Sequence, residues 1–248
     1  MKPLLVAAVF LTRLPVPIEA TAADVRAAMR WFPAVGAALG TVAAVASLAL
    51  SRLDVPPLLS ATLLIAAGAW VTGAIHLDGV ADMADGFGGG RTKDDALRIM
   101  RDPRVGSFGA VALIVVLGFK VAALTALIER RIDASALITA PTLSRWTVVA
   151  LGRWLPYARP EGGLGLAATE SHDPAGFLIA TIIAAAVSIA AAGIGALALW
   201  VSMLAVVGLV GRAAARHIGG VTGDVFGATV ELAEAVMLIT AVLLSSRG

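Results

Sequence analysis

The chain has 248 residues, of which 59% are hydrophobic and only 15% charged, and its mean hydropathy is +0.91. A soluble domain carries roughly 25% charged residues, so the composition excludes one and points to a single polytopic membrane domain over residues 1–248. The absence of cysteine excludes disulfides and thiolate metal sites; three histidines argue against a His-rich zinc centre, and a net charge of +2 against a nucleic-acid partner.

The expected fold is an all-α membrane bundle of six or seven spanning helices with short re-entrant or interfacial helices. The apolar run 3–11 is too short to span. It lacks a small-residue cleavage site, so it reads as a retained re-entrant or interfacial helix. A proline-broken loop follows at 12–17, then a short amphipathic helix at 22–30. Spans are expected at 31–50 and 57–75, the second running into an acidic motif. Thr92 is placed to cap a short helix ending near Arg101. Further spans are expected at 105–128 and 134–155. A polar Gly/Pro-rich loop occupies 156–173. Two spans at 174–193 and 194–211 are joined by almost no loop. The last span, 228–244, is slightly short.

Lys and Arg set the orientation. With the acidic motif inside, the N-terminal segment and the loops at 76–104, 153–173 and 212–226 hold 13 of the 19 basic residues. Arg52, Arg130, Arg131 and Arg247 lie opposite, and Lys120 and Arg145 fall within spans. The polar motifs then face the cytoplasm across a cell membrane.

The acidic motif runs from His76 to Gly86. Asp78, Asp82 and Asp85 stand at i, i+4 and i+7, which share one helical face. Like charges this close repel unless a cation sits between them. Oxygen-only ligands suit Mg²⁺, which bridges carboxylates to substrate phosphate. The bland alternative is a solvated helix end. His76 either bonds a carboxylate or phosphate, or sits at the membrane interface.

A second cluster runs from Gly219 to Gly227 and continues to Glu231 and Glu234. Glycines such as Gly223 expose N–H groups that can cradle phosphate. Asp224 and Glu231 are seven residues apart and would share a face. Asp224 alone also reads as a helix cap. Two acidic clusters on different helices could hold two metals, or one metal and a base.

Among the cations, Arg104 precedes a small-residue turn at the start of a span and is a candidate anion site. Lys120 and Arg145 either snorkel or face the acidic cavity and substrate phosphate. Arg159 lies in a Tyr157–Gly165 loop that could act as a lid. The many Ala and Gly residues suit helix packing and also homo-oligomer contacts.

Five runs together resemble the cobalamin synthase family, also called adenosylcobinamide-GDP ribazoletransferase. They are Phe10 to Pro17, Trp31 to Gly36, His76 to Gly86, Ile99 to Gly109, and Gly219 to Gly227 with Glu231. The resemblance covers nearly the whole chain, in order. It implies a membrane-bound, Mg²⁺-dependent transferase in cobalamin biosynthesis. Such an enzyme joins α-ribazole or its 5′-phosphate to adenosylcobinamide-GDP and releases GMP. On that reading Asp78, Asp82, Asp85 and Asp224 are metal ligands. Asp82, Asp85 and Glu231 are the candidate catalytic acids; Asp224 and Glu231 complete the site or supply the base, and which acid is the base is left open. His76, Arg104, Lys120, Arg145, Arg159 and Gly223 contact substrate.

Two other classes share parts of the pattern. The CDP-alcohol phosphotransferases also cluster aspartates in a membrane, but their motif, Asp-Gly-x-x-Ala-Arg, wants Ala-Arg where Asp82-Met83 stands here. Ion-coupled transporters use intramembrane acids and broken helices. Against that reading, the chain has no internal repeat and its polar residues gather on one side.

Overall fold

The computed structural model describes residues 2–17, 19–159, 161–162, 165–169 and 173–245. Among them the regular elements are helices: α1 Lys2–Leu11, α2 Ala22–Ala28, α3 Phe32–Arg52, α4 Pro57–Thr72, α5 Ile75–Gly89, α6 Lys93–Ile99, α7 Ser107–Glu129, α8 Asp133–Trp154, α9 Leu166–Thr169, α10 Pro174–Ala192, α11 Ala196–Ile218 and α12 Gly223–Ser245. The all-α membrane bundle expected from composition is the observed architecture. Apolar side chains such as Val42, Ile114, Ile182, Ile194 and Val201 point outward, as lipid contact requires.

Length and composition alone give a lower count than the six or seven spans expected, because residues 174–218, read as two spans, pass as one stretch. Among the described residues, four helical stretches are long and apolar enough to cross a membrane, and a bent pair makes a fifth. Residues 174–218 form one of these stretches, broken at Gly193, whose φ is 55°. Trp200 Nε1 donates to Ser188 Oγ at 3.1 Å. Twelve residues of straight helix would separate them by about 18 Å, so the chain folds back on itself there.

Helix α8, expected as the fourth span, is too polar for lipid because it does not meet lipid. Every residue from Thr142 to Gly152 is buried. Helix α3 seals one side of it through Gly36 and Gly40. A β-carbon at Gly36 would overlap the Pro141 backbone, and one at Gly40 the Leu137–Ile138 backbone. Four residues apart, these glycines let the two helices touch along one face. On the other side Trp146 packs edge-on to Trp154 and Trp200 and donates to Thr181 Oγ1 at 2.9 Å.

The expected span 57–75 does not run on into the acidic motif. Helix α4 stops at Thr72, and α5 leaves at 89° to it. Gly73 and Ala74 make the corner with φ of 66° and 56°. Glycine takes that conformation freely, while alanine is strained in it. The N-terminal loop braces the corner, with Arg13 N–H donating to the Val71 carbonyl at 2.8 Å. This corner turns the acidic motif out of the α4 direction and lays it across α12 and α7.

Candidate active site

The acidic run is helical, as its spacing predicts, but its three carboxylates do not share one environment. Asp78 is exposed, Asp82 half-buried and Asp85 buried. Asp85 is occupied: its carboxylate accepts from Gly106 N–H at 2.7 Å and from Gly109 N–H at 2.9 Å. It therefore caps the N-terminus of α7, where orphan N–H groups and the helix dipole favour an anion. Both glycines are tight against it, and a β-carbon at either would overlap the carboxylate. In place of the metal-ligand and catalytic roles expected of it, the bonds Asp85 makes in this structure are those of a helix anchor.

Asp78 and Asp82 instead meet Asp224. Gly79 makes the approach possible, since a β-carbon there would stand 2.5 Å from the Asp224 carbonyl oxygen. Asp82 lies within electrostatic range of Asp224, Asp78, Arg159 and Asp85. Asp224 opens α12, and its Oδ2 accepts from Thr222 Oγ1 at 3.2 Å and Arg159 Nη2 at 2.7 Å. Arg159 reaches this point because its loop is stitched to the glycine-rich one. Val221 N–H donates to the Pro156 carbonyl at 2.9 Å, and Ala158 N–H to the Val221 carbonyl at 2.8 Å. Gly220 has no room for a side chain against Pro156, whereas Gly223 faces open space. The lid reading of this loop includes Pro160, Gly163 and Leu164, which lie outside the described residues.

Glu231 is not part of this constellation. Seven residues along α12 place it about 10 Å deeper than Asp224. There Lys120 Nζ donates to Glu231 Oε2 at 2.6 Å and to Glu234 Oε2 at 2.7 Å. Arg145 pairs with Glu234, and Ser144 Oγ donates to the same carboxylate at 3.1 Å. All four charged groups are buried. Lys120 and Arg145, expected at substrate, and Glu231, expected as a catalytic acid, are bonded in this structure within an ion network joining α7, α8 and α12. Glu234 and Ser144 complete it. The signal for Glu234 was its place three residues after Glu231 in an apolar span, which puts both on one face.

His76 faces inward as well. It is buried against the α12 backbone at Gly227, and Arg145, Glu234 and Lys120 are its charged neighbours. Its Nδ1 has no hydrogen-bond partner. It does not touch the Asp78–Asp82–Asp224 face directly. Arg104 stands apart too. Its guanidinium pairs with Asp102 through bonds of 2.9 and 2.8 Å, which hold the exposed Asp102 carboxyl down to about 2. In this structure the guanidinium expected to bind an anion is paired with its own neighbour at the surface.

What the face offers is oxygen donors from two helices with one arginine beside them. Among the described residues no three carboxylate or histidine side chains converge on a single point. Mg²⁺ asks for less. It retains several waters and takes one or two carboxylates together with substrate phosphate. The donor chemistry of Asp78, Asp82 and Asp224 fits that ion.

Comparison with known proteins gives a consistent match. The family model described as cobalamin-5-phosphate synthase matches residues 3–242. A protein of Chlorobium phaeobacteroides named adenosylcobinamide-GDP ribazoletransferase is 39% identical over 99% of both chains. Proteins of the same name from Pseudomonas aeruginosa and Sinorhizobium medicae are 41% and 40% identical, covering 98% and 92% of this chain and 98% and 91% of theirs. No solved structure matches significantly.

Proposed function

The chain belongs to the cobalamin-5-phosphate synthase family, and from that premise we propose that the Asp78–Asp82–Asp224 face carries its reaction. The protein is a multi-pass membrane transferase of cobalamin biosynthesis, an adenosylcobinamide-GDP ribazoletransferase. The acceptor is α-ribazole or its 5′-phosphate. Its ribose hydroxyl attacks the corrinoid-linked phosphorus of adenosylcobinamide-GDP. A new phosphate ester forms, the pyrophosphate P–O bond breaks, and GMP leaves.

The observation that carries the residue assignment is the seating of Gly79 on Asp224. It joins two acidic clusters that lie 145 positions apart along the sequence. One or two of Asp78, Asp82 and Asp224 would hold Mg²⁺ directly and the remainder through its waters; when bound, the ion would neutralise the pyrophosphate and stabilise charge on the departing phosphate. Arg159 sits beside them as the bidentate partner for phosphate oxygens. Gly223, with open space above it, leaves room for a phosphate at the start of α12. Asp82 is the base that takes the hydroxyl proton. Asp85 is held by α7, Glu231 by Lys120 and Asp224 by Arg159 and Thr222, which favours Asp82. The Lys and Arg distribution supports a cytoplasmic opening, in the cell membrane.

The test supplies purified protein with adenosylcobinamide-GDP, α-ribazole 5′-phosphate and Mg²⁺, with and without EDTA. GMP release matched by cobalamin phosphate, abolished by EDTA and by Asp82→Asn, is the expected result. Full turnover by Asp82→Asn would overturn the residue assignment while leaving the reaction intact.

A further inference from the structure

Beneath α5 a cavity of about 200 Å³ opens between α3, α4, α7 and α8. Its walls are apolar and include Ala43, Leu64, Leu117 and Leu137. Its floor is the ion network of Lys120, Arg145, Glu231 and Glu234. Two cations and two anions pair there, so the floor has no net charge with which to hold an ion. The volume is below the 300–1,000 Å³ or so of an ordinary small-molecule site, too small for a corrinoid or a nucleotide.

The mouth faces the bilayer. Val42 lines the cavity yet is 70% exposed, and Val45 and Leu63, its neighbours on α3 and α4, are exposed too. Gly68 stands at the opening, and a β-carbon there would meet nothing within 4 Å. A lateral portal of this kind, lined by small and apolar groups at membrane depth, is reached from lipid rather than from water.

We propose that this cavity holds the terminal few methylenes of one acyl chain of a membrane phospholipid, entering between α3 and α4 past Gly68. The chain fills apolar volume that would otherwise be void beneath α5 and above the ion network. The site is distinct from the aspartate face, from which Leu77 and the body of α5 separate it. It does not depend on the assignment of catalytic residues.

The experiment reconstitutes the full chain in nanodiscs whose phosphatidylcholine carries a diazirine within its acyl chain. After photolysis, adducts are mapped by peptide mass spectrometry. Leu64, Leu117 and Leu137 are expected to be labelled along with the outward Val45 and Leu63. Gly68→Leu places a bulky side chain at the portal, where a β-carbon meets nothing within 4 Å. It should abolish the interior adducts and leave Val45 and Leu63 labelled, which also reports that the variant is folded. Labelling confined to Val45 and Leu63 in the unmodified chain would overturn the proposal. So would interior labelling that survives Gly68→Leu, or that α-ribazole displaces.

Discussion

Gly79 of α5 rests against Asp224 of α12 with no space for a side chain between them; a β-carbon would lie 3.1 Å from the Asp224 Cα and 3.2 Å from the Ala228 nitrogen. Backbone cannot swing aside as a flexible side chain can, so any larger residue must push the helices apart. A displacement near 1 Å at a reacting centre can cost about a hundredfold in rate. Gly79→Ala is therefore expected to lower kcat for GMP release by about that factor, while overpacking costs only about 1–3 kcal/mol of stability. Steady-state kinetics beside a thermal melt in detergent make the comparison. Unchanged kcat would show that the contact between the two acidic clusters is incidental.

The buried network predicts the opposite balance. Lys120 alone faces two carboxylates. Removing one partner of a buried pair strands the other, at a cost of about 3–5 kcal/mol. Lys120→Met and Glu231→Gln should both depress the melting temperature sharply. In whatever fraction stays folded, Glu231→Gln should retain turnover per molecule. Normal stability with abolished kcat in Glu231→Gln would return that residue to the catalytic group.

Much of this could be seen along the chain, and what could not has a physical reason. Helical identity, the membrane environment and the two acidic clusters follow from periodicity and hydropathy. The polar character of α8 is also in the sequence, but its meaning is not. Arg145 in an apolar run reads equally as a snorkelling residue or a ligand until Glu234 is seen beside it. Spacing placed Asp78, Asp82 and Asp85 on one face of α5, and they are on one helix. Spacing could not say that α7 would begin beside Asp85. Its N-terminal glycines claim that carboxylate. Likewise, a shared helical face for Asp224 and Glu231 says nothing of the roughly 10 Å of depth between them, which puts one beside Arg159 and the other beside Lys120. The corner at Gly73–Ala74 was hidden because Ala74 adopts a left-handed conformation that its side chain disfavours.

Asp85 and Asp82 are separable by one pair of substitutions. Asp85→Ala removes both acceptors at the head of α7, and loss of a helix cap costs about 0.5–2 kcal/mol. Its melting temperature should fall, and turnover should fall with it as the 106–109 segment loosens. Asp82→Asn removes charge from a half-buried position facing Asp78 and Asp224, so it should relieve repulsion and hold or raise stability while abolishing turnover. The contrast is read from melts and single-turnover rates on the same preparations. Equal stability losses in the two variants would erase the distinction drawn between an anchoring and a reacting carboxylate.

Metal dependence gives the last test, and it turns on Asp224. Its Oδ2 is shared between Thr222 and Arg159, so its carboxylate has a second oxygen to offer a cation. Asp224→Asn keeps an oxygen acceptor and nearly the same shape but removes the charge that attracts Mg²⁺. If Asp78, Asp82 and Asp224 act as donors to one ion, the variant should need more Mg²⁺ for half-maximal GMP release, and saturating metal should restore part of kcat. Arg159→Ala should not raise the Mg²⁺ requirement, because it deletes a competing cation. It should raise KM for adenosylcobinamide-GDP instead, since its guanidinium is assigned to phosphate. Magnesium titrations at fixed substrate and substrate titrations at saturating magnesium separate the two. If both variants move the same parameter, Arg159 and Asp224 act as one ion pair that holds the loop, and neither serves the metal or the phosphate individually.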